Sequence, residues 1–288
     1  MTRRPVRRRL CVIALGLGGL VALAGCGSPA ATSGSPSHHA RPSTSTSIPS
    51  GLDGTEADQL PGAPSPTAPP SLPDPSTPAG RQQFLAQVFG DIQQMWSGLF
   101  ADAGAPYSPA KLVFFTSQVS TGCGVATSDV GPFYCPADQS VYLDTRFFDQ
   151  MEKQYGVTGD FSQAYVVAHE MGHHIQNLLG INGRVAAAEQ TDPALKNPLS
   201  VRVELQADCL AGVWAHSTYE RKLLEPGDLD EALRAAAAVG DDFLQQAATG
   251  QVSPEAWTHG SSAQRQHWLT VGYDSGETSQ CDTLNASG

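Results

Sequence analysis

The sequence predicts an α+β fold: a mostly helical domain with a small β-sheet, preceded by a signal peptide and a disordered linker. Three observations predict it. Apolar residues recur at helical spacing in several long segments, and two short segments combine β-branched and aromatic residues as strands do. Residues 1–80 have the composition of an export signal and a linker, which leaves residues 81–288 as one domain of ordinary size.

Residues 1–25 have the features of a lipoprotein signal peptide. Five arginines precede an apolar run from Leu10 to Ala24, which is short for a transmembrane helix. The run ends in Leu23-Ala24-Gly25-Cys26, which resembles the bacterial lipobox. We therefore expect Cys26 to carry diacylglyceryl and palmitate chains and to anchor an exported protein at the outer face of the cell membrane. An ordinary cleavage site and an uncleaved anchor are the alternatives, and the export route, Sec or twin-arginine, is left open.

Residues 26–80 are rich in Pro, Ser, Thr, Gly and Ala and have almost no large apolar side chains. Such a segment cannot bury enough surface to offset chain entropy, so we predict a disordered tether. His38 and His39 lie in it, where adjacent imidazoles make a weak metal site. Removal of residues 1–25 leaves 12 of the 17 basic residues and all 28 acidic ones, a net charge of −16, so no nucleic-acid partner is expected.

The first half of the domain is predicted to contain two helices and two strands. Apolar residues recur at helical spacing from Arg81 to about Ala103, which indicates an amphipathic helix with its aromatic residues in the core. Strands are predicted at Lys111 to Thr116 and at Ser140 to Asp144, on either side of a loop that contains two cysteines. A second helix is expected near Arg146 to Tyr155.

A further helix is predicted to begin at Asp160, with Gln163 completing a capping box, and to stop before Gly180. It contains His169-Glu170-Met171-Gly172-His173, the pattern H-E-x-x-H. At about 100° per residue, the two histidines lie on one face and can bind one metal ion, while apolar residues fill the opposite arc. We therefore expect one side of this helix to be buried and the other to face a cleft. Taken alone, the pattern also fits an ordinary helix with two surface histidines.

The second half of the domain is predicted to be helical. We expect a loop from Ile181 to about Pro198, a helix to about Arg221, an alanine-rich helix from Asp228 to Ala248 and a last helix from about Ser262 to Gly272.

Whether the H-E-x-x-H pattern indicates a metal site depends on a third ligand elsewhere in the chain. The metzincin extension requires Gly and His where this chain has Gln176 and Leu179, and His174 points about 100° away from His173. Glu204 and Asp208 are spaced i, i+4 on a later helix, the E-x-x-x-D arrangement of the gluzincins. Glu204 would complete a His2Glu zinc site with one position open for water, and Asp208 would fix the tautomer of a ligating histidine.

Small residues near Glu204 favour this interpretation over an exposed Glu-Asp pair on an alanine-rich helix. They would let the backbone of its helix approach the first metal-binding helix closely, and they are Ala207, Ala211, Gly212 and Ala215.

Cysteine usage agrees with export. Cys11 leaves with the signal and Cys26 is used for lipid, which leaves four cysteines in an oxidising compartment. Three connectivities are open, and a structural zinc site is a competing use that the lack of C-x-x-C spacing disfavours. We prefer Cys123 with Cys135, closing a Gly-rich loop, and Cys209 with Cys281, tying the C-terminal tail to the Glu204 helix.

Several segments together resemble a known family, the bacterial neutral zinc metallopeptidases. The segments are Thr121-Gly122-Cys123-Gly124, Gly131-Pro132-Phe133-Tyr134-Cys135-Pro136, Val141-Tyr142-Leu143-Asp144, His169 to Gln176, Glu204 to Trp214 and Thr258-His259-Gly260-Ser261-Ser262. The resemblance covers about Pro106 to Gly276. It implies one zinc ion per chain, a zincin-like fold and hydrolysis of a peptide or protein substrate, with the oligomeric state left open.

In such a site zinc activates a water molecule and Glu170 acts as general base. The developing oxyanion needs a second donor, and His259 is the first candidate, against a structural role at the start of a helix; Arg265 and Tyr273 are weaker ones. His216 and His267 are expected to be exposed or packed. A substrate could lie along an exposed edge strand at Val141 to Asp144, unless that strand is covered.

Two other function classes fit parts of the sequence. The first is a zinc-stabilised lipoprotein that binds a cell-envelope partner and hydrolyses nothing. Glu170 discriminates against it, because this carboxylate is not needed to hold zinc and has no evident packing reason to lie in the cleft. The second is a solute-binding lipoprotein, which the single small domain disfavours.

Overall fold

The computed structural model describes residues 73–286, and its fold class is the predicted one, α+β and mostly helical. Within that range the α-helices are α1 (Pro78–Asp102), α2 (Arg146–Tyr155), α3 (Asp160–Leu178), α4 (Ile181–Thr191), α5 (Lys196–Glu220), α6 (Asp228–Ala238), α7 (Asp241–Thr249) and α8 (Ser262–Ser275). The strands are β1 (Lys111–Phe114), β2 (Gln118–Thr121), β3 (Gly124–Thr127), β4 (Phe133–Cys135) and β5 (Ser140–Leu143). No helix in residues 73–286 combines the length and apolarity needed to cross a bilayer.

The helix α1 begins at Pro78, three residues before the predicted start. The reason is that Thr77 is its N-cap residue, whose hydroxyl oxygen accepts a hydrogen bond from the backbone N–H of Gly80. Its apolar face is buried as predicted. The buried residues are Phe84, Leu85, Val88, Phe89, Ile92, Met95, Trp96, Leu99 and Phe100. They form one core with the apolar residues of α2, α3, α5 and α6.

The sheet has the order β1-β5-β4, with β1 parallel and β4 antiparallel to β5. The expectation of an exposed edge at Val141 to Asp144 is wrong, because β5 is the central strand and all four of its residues are buried. Val141 and Leu143 face the helical core, while Tyr142 stacks on Phe133 on the other face. The strands β2, β3 and β4 were not predicted, because all three lie in the segment between β1 and β5 that was interpreted as a cysteine-containing loop.

The helix α3 starts at Asp160, but the predicted capping box with Gln163 does not form. Gly159 is the N-cap residue and has a φ of 102°, and a carboxylate from another helix takes the place of a local cap. The backbone N–H of Phe161 donates to Glu231 Oε2 at 3.1 Å. A Cβ at Gly159 would lie 1.9 Å from the same carboxylate, so a glycine is required here. The N-terminus of α3 is therefore fixed against α6.

Two of the predicted elements in the second half are wrong. The predicted loop from Ile181 to Pro198 contains helix α4, whose residues Ile181 and Val185 pack with Leu199 and Val203 in a small separate core. The predicted single helix from Asp228 to Ala248 is divided into α6 and α7 at Gly240. There a Cβ would lie 2.4 Å from the Ser262 nitrogen, so the chain turns to pack against the start of α8.

The helices α5 and α8 pack with almost no space between their backbones. A Cβ at Gly272 would lie 1.9 Å from the Cys209 carbonyl oxygen, and one at Gly212 would lie 2.2 Å from the Leu269 carbonyl oxygen. Gly212 was expected to face α3 and instead faces α8. Ala207 does face α3, because a Cβ at Gly172 would lie 2.9 Å from its Cα. Small residues thus bring α5 close to two helices at once.

The structure contains two disulfides, Cys123–Cys135 and Cys209–Cys281, the preferred pairing of the four cysteines. The first links the β2–β3 hairpin to β4, and the second joins α5 to the C-terminal segment after α8. The signal-peptide, lipobox and tether predictions, with Cys11, Cys26, His38 and His39, lie outside the described residues.

Candidate metal centre

The helix α3 carries the H-E-x-x-H residues through the middle of the domain. It is buried on nearly every side from Phe161 to Gln176, so the expected division into a core face and an open face is wrong. The reason is that α1, α5 and α6 all pack on α3, and α5 covers its polar face. His169, Glu170 and His173 are 1 %, 2 % and 4 % exposed.

Three side chains from α3 and α5 converge on one point. His169 Nε2 lies 3.1 Å from Glu204 Oε2, and His173 Nε2 lies 3.5 Å from Glu204 Oε1. One ligand atom from each of the three residues lies within 4.8 Å of the others. The i, i+4 spacing places both imidazoles on one face of α3, and Glu204, 1 % exposed, reaches them from α5.

The donor set fits a zinc ion. Both histidines direct Nε2 towards Glu204 and use Nδ1 elsewhere, His169 with Asp208 Oδ1 at 2.8 Å and His173 with Gln176 Oε1 at 2.9 Å. Glu204 Oε1 is buried and has no hydrogen-bond partner in residues 73–286. Two Nε2 atoms and one carboxylate, with each histidine oriented through its other nitrogen, match the ligand set of zinc sites that keep one position open.

The charges of the site favour an anionic Glu204. Burial by itself raises the pKa of this carboxyl group, but the imidazoles of His173 and His169 outweigh it and hold the pKa well below its usual range. Burial lowers the pKa of His169, while Asp208 and Glu204 raise it more, to about 9. The carboxylates of Glu204 and Asp208 therefore surround the His169 imidazole with negative charge.

Asp208 is held by a buried cluster that also contains Arg265 and Tyr165. Arg265 Nε donates to Asp208 Oδ2 at 2.8 Å, and the Tyr165 hydroxyl donates to Asp208 Oδ1 at 2.6 Å. Burial raises the pKa of Asp208, but Arg265 and His169 bring it down to about 2. Arg265 is 0 % exposed and its guanidinium orients Asp208, while its role as a weaker candidate donor to a substrate stays a prediction.

Glu170 lies beside the ligands in the same buried space. Burial raises the pKa of its carboxyl group, and the neighbouring imidazoles of His169 and His173 oppose that rise. The net result is a pKa above the usual range for this carboxyl group.

His259 lies in the loop before α8, with its side chain largely buried. Its Nδ1 is 3.2 Å from Asp241 Oδ1, and Asp241 Oδ2 accepts the backbone N–H groups of Thr258, His259 and Gly260. Burial lowers the pKa of His259, but Asp241 and Glu204 raise it overall. The influence of Glu204 places this imidazole in the electrostatic surroundings of the metal ligands.

The remaining candidates lie elsewhere. Tyr273 contacts His216 and Tyr219, and its carbonyl oxygen lies 2.6 Å from His216 Nδ1, so the expectation that it belongs to the site is wrong. Its partners His216 and Tyr219 lie near the C-terminal end of α5, about three to four helical turns from Glu204 on the same helix. His216 is packed and His267 is exposed, as expected.

Three residues of the site were missed in the sequence, namely Tyr165, Gln176 and Asp241. Helical spacing indicates two of them. Tyr165 is four residues before His169 and Gln176 is three residues after His173, so both lie on the same face of α3 as the two histidines. Asp241 has no local signal, since it acts on a loop 17 residues away in the chain.

Comparison with known proteins agrees with this geometry. The uncharacterized protein YpfJ of Escherichia coli K12 is 48 % identical over 206 residues, which are 71 % of this chain and 72 % of that protein. The uncharacterized protein Rv2575 of Mycobacterium tuberculosis H37Rv is 51 % identical over 192 residues, 63 % of this chain and 64 % of that protein. No solved structure matches.

A family model described as "putative neutral zinc metallopeptidase" matches residues 58–284, which include every residue of the metal centre. The match extends well beyond the H-E-x-x-H segment on both sides and covers most of the chain. This protein therefore belongs to the neutral zinc metallopeptidase family that the model describes.

Proposed function

We propose that this protein is an exported, lipid-anchored zinc metallopeptidase. Its zinc ligands are His169, His173 and Glu204, and Glu170 is its general base. The observation that supports this most directly is the convergence of two Nε2 atoms on the Glu204 carboxylate while both Nδ1 atoms are engaged by acceptors. Family membership supports the same chemistry and a peptide or protein substrate.

His169, His173 and Glu204 would hold the zinc ion, which would supply a Lewis acid for the scissile carbonyl group and would lower the pKa of a water molecule towards about 7. Glu170 is next to His169 in sequence but projects about 100° further round α3. Its carboxylate takes the proton from the attacking water and passes it to the nitrogen of the leaving amine. Burial supports this role, because it raises the pKa of Glu170 and so makes its carboxylate a stronger base.

His259 is proposed as the donor to the oxygen of the scissile carbonyl as negative charge develops there. Asp241 supports this role in two ways. Its carboxylate lies 3.2 Å from His259 Nδ1, which orients the ring, and it accepts three consecutive backbone N–H groups, which holds the loop. The raised pKa of His259 favours the protonated ring, which is the better donor.

The location of the enzyme is proposed from the N-terminal sequence. The lipobox-like Leu23 to Cys26 and the Pro- and Ser-rich segment after it suit a catalytic domain on a tether at the outer face of the cell membrane. The two disulfides suit the same oxidising compartment.

Incubation of the full chain, purified in detergent, with a broad peptide library tests the proposal. Zinc should be present at about one ion per chain. Cleavage should stop on addition of a chelator and return on addition of zinc. A protein with full zinc content that cleaves no peptide would instead be a zinc-stabilised scaffold that binds a cell-envelope partner.

A further inference from the structure

A row of buried side-chain amides connects His173 to the Cys209–Cys281 disulfide. Gln176 Oε1 lies 2.9 Å from His173 Nδ1, and Gln176 Nε2 donates to Gln206 Oε1 at 3.1 Å and to the Val203 carbonyl at 2.7 Å. Gln206 Nε2 donates in turn to the Cys281 carbonyl at 2.9 Å. Gln176, Gln206 and Cys281 are 0 % exposed, so water has no access to these bonds.

The direction of every hydrogen bond in this row follows from its ends. A backbone carbonyl only accepts, so the amide nitrogen of Gln176 must face Val203 and its oxygen must face His173. The Cys281 carbonyl fixes Gln206 in the same manner, with its oxygen towards Gln176. Because Gln176 presents an acceptor to the ring, His173 Nδ1 must be the donor, and in the neutral ring Nε2 then carries no proton.

The alternative tautomer has an available acceptor at the metal centre. With the proton on Nε2, His173 would point it at Glu204 Oε1, 3.5 Å away, an atom with no hydrogen-bond partner in the described part of the chain. That pairing would occupy the ring nitrogen and the carboxylate oxygen that a metal ion needs. Gln176 opposes it, because His173 Nδ1 without a proton would face the Gln176 oxygen and leave two acceptors in contact.

We propose that Gln176 is a positioning residue that keeps the proton of His173 on Nδ1 and so leaves Nε2 free to bind zinc. Gln206 and the Cys281 carbonyl keep Gln176 in the orientation that this requires. The Cys209–Cys281 disulfide fixes that carbonyl beside α5, three residues along the helix from Gln206. The proposal rests on the metal site of the proposed function. In it, the two histidines of that site are oriented by different hydrogen-bond acceptors, His169 by a carboxylate and His173 by a neutral amide.

The first test reads the tautomer directly. The ring nitrogens of the 15N-histidine-labelled full chain without metal are observed by NMR, at a pH where the His173 ring is neutral, with His173→Asn for assignment. The expected spectrum has the proton of His173 on Nδ1. A proton on Nε2 in the unmodified protein would overturn the proposal, whatever the variants do.

The second test measures zinc affinity by competition with a chelating indicator. Gln176→Met removes the acceptor and both donors, so zinc should bind about 10- to 100-fold more weakly and the proton should move towards Nε2. Gln176→Glu keeps an acceptor oxygen and, when protonated, one donor, so it should restore most of the affinity. Gln206→Met leaves the bond between His173 and Gln176 in place and should have a smaller effect than Gln176→Met.

Equal zinc affinity and an unchanged tautomer in Gln176→Met would overturn the proposal. If Gln176→Met does not fold, the tautomer of the unmodified protein decides, and a proton on His173 Nε2 overturns the proposal. Absence of zinc from the unmodified protein would refute the proposed function instead, and the tautomer measurement would still report on Gln176.

Discussion

Asp208 Oδ1 lies 2.8 Å from His169 Nδ1, and this contact links the metal centre to the charge balance of the core. The carboxylate accepts from the imidazole on one side and from the Arg265 guanidinium on the other. All three residues are at most 1 % exposed. Asp208 therefore both orients a metal ligand and neutralises a buried cation.

Replacing Asp208 with Asn should damage both functions. The Arg265 charge would remain buried without its counter-ion, which costs about 3 to 5 kcal/mol of the free energy of unfolding. Zinc should bind about 10- to 100-fold more weakly, because His169 loses its charged acceptor. Urea unfolding and chelator competition measure the two effects. The control is Glu152→Gln, which changes an exposed carboxylate on α2 and should alter neither the free energy of unfolding nor the zinc affinity. If Asp208→Asn also left both quantities unchanged, the proposed role of Asp208 would be contradicted.

The close packing of α5 on α8 predicts a strong effect of one methyl group. Gly272→Ala would place a Cβ 1.9 Å from the Cys209 carbonyl oxygen, so α5 must shift, and we expect a loss of about 3 kcal/mol in the free energy of unfolding. Gly90→Ala on α1 has no atom within 4 Å of its new Cβ and should stabilise the protein by about 1 kcal/mol. Equal stabilities of the two variants in urea unfolding would show that the helices are not in this contact.

The two disulfides should differ in their effect on the metal centre. Replacing Cys209 and Cys281 by Ser opens a loop of 72 residues, and in the chain-entropy model this lowers the free energy of unfolding by about 4 kcal/mol. The same change at Cys123 and Cys135 opens a loop of 12 residues and should lower it by about 3 kcal/mol. Only the first pair adjoins the row of amides that ends at His173. We expect weaker zinc binding in the first double variant and unchanged binding in the second. Peptide mapping without reduction checks the pairing, and a free thiol at Cys209 or Cys281 would refute it.

Lipid anchoring is tested at Cys26. A single acyl chain binds membranes only marginally, and diacylglyceryl modification supplies the further chains that stable anchoring needs. Cys26→Ser should therefore move the protein from the membrane fraction to the soluble fraction after cell lysis. Cys11→Ser, which changes a cysteine inside the apolar run, should remain in the membrane fraction. If Cys26→Ser also stays there, the uncleaved signal segment is the anchor.

The parts of the site that lie within one turn of helix could be predicted from the sequence. The spacing of His169 and His173 depends only on helix geometry, and so does that of Glu204 and Asp208. The pairing of these two helices was inferred from chemistry, because zinc requires a third ligand. The long helices α1, α3 and α5 were likewise predictable, since each repeats its apolar pattern over several turns.

What could not be predicted depends on residues distant in the chain. Glu231 caps α3 from 70 residues away. The sequence next to the helix start contains only Gln163 as a candidate for a capping box, so it does not reveal this distant partner. Asp241 interrupts an alanine-rich segment because it accepts N–H groups of a loop that meets it only in the folded protein. The burial of Arg265 depends on Asp208 in the same way. Helical spacing describes one element at a time and contains no information on these partners.

Replacement of the third ligand separates zinc binding from catalysis. Glu204→Ala should lower zinc occupancy and activity together, because a site with two histidines is open and weak. Glu170→Gln removes a base without changing the size of the side chain, and it leaves all three ligands in place. It should keep its zinc and its melting temperature.

Zinc content and peptide hydrolysis, measured on the same samples of unmodified protein and of Glu170→Gln, test the central claim most directly. Glu170→Gln should retain about one zinc ion per chain and lose peptide hydrolysis by roughly 100-fold or more. Loss of zinc from Glu170→Gln would make Glu170 a structural residue of the site. Full zinc content with hydrolysis equal to that of the unmodified protein would contradict its role as the general base.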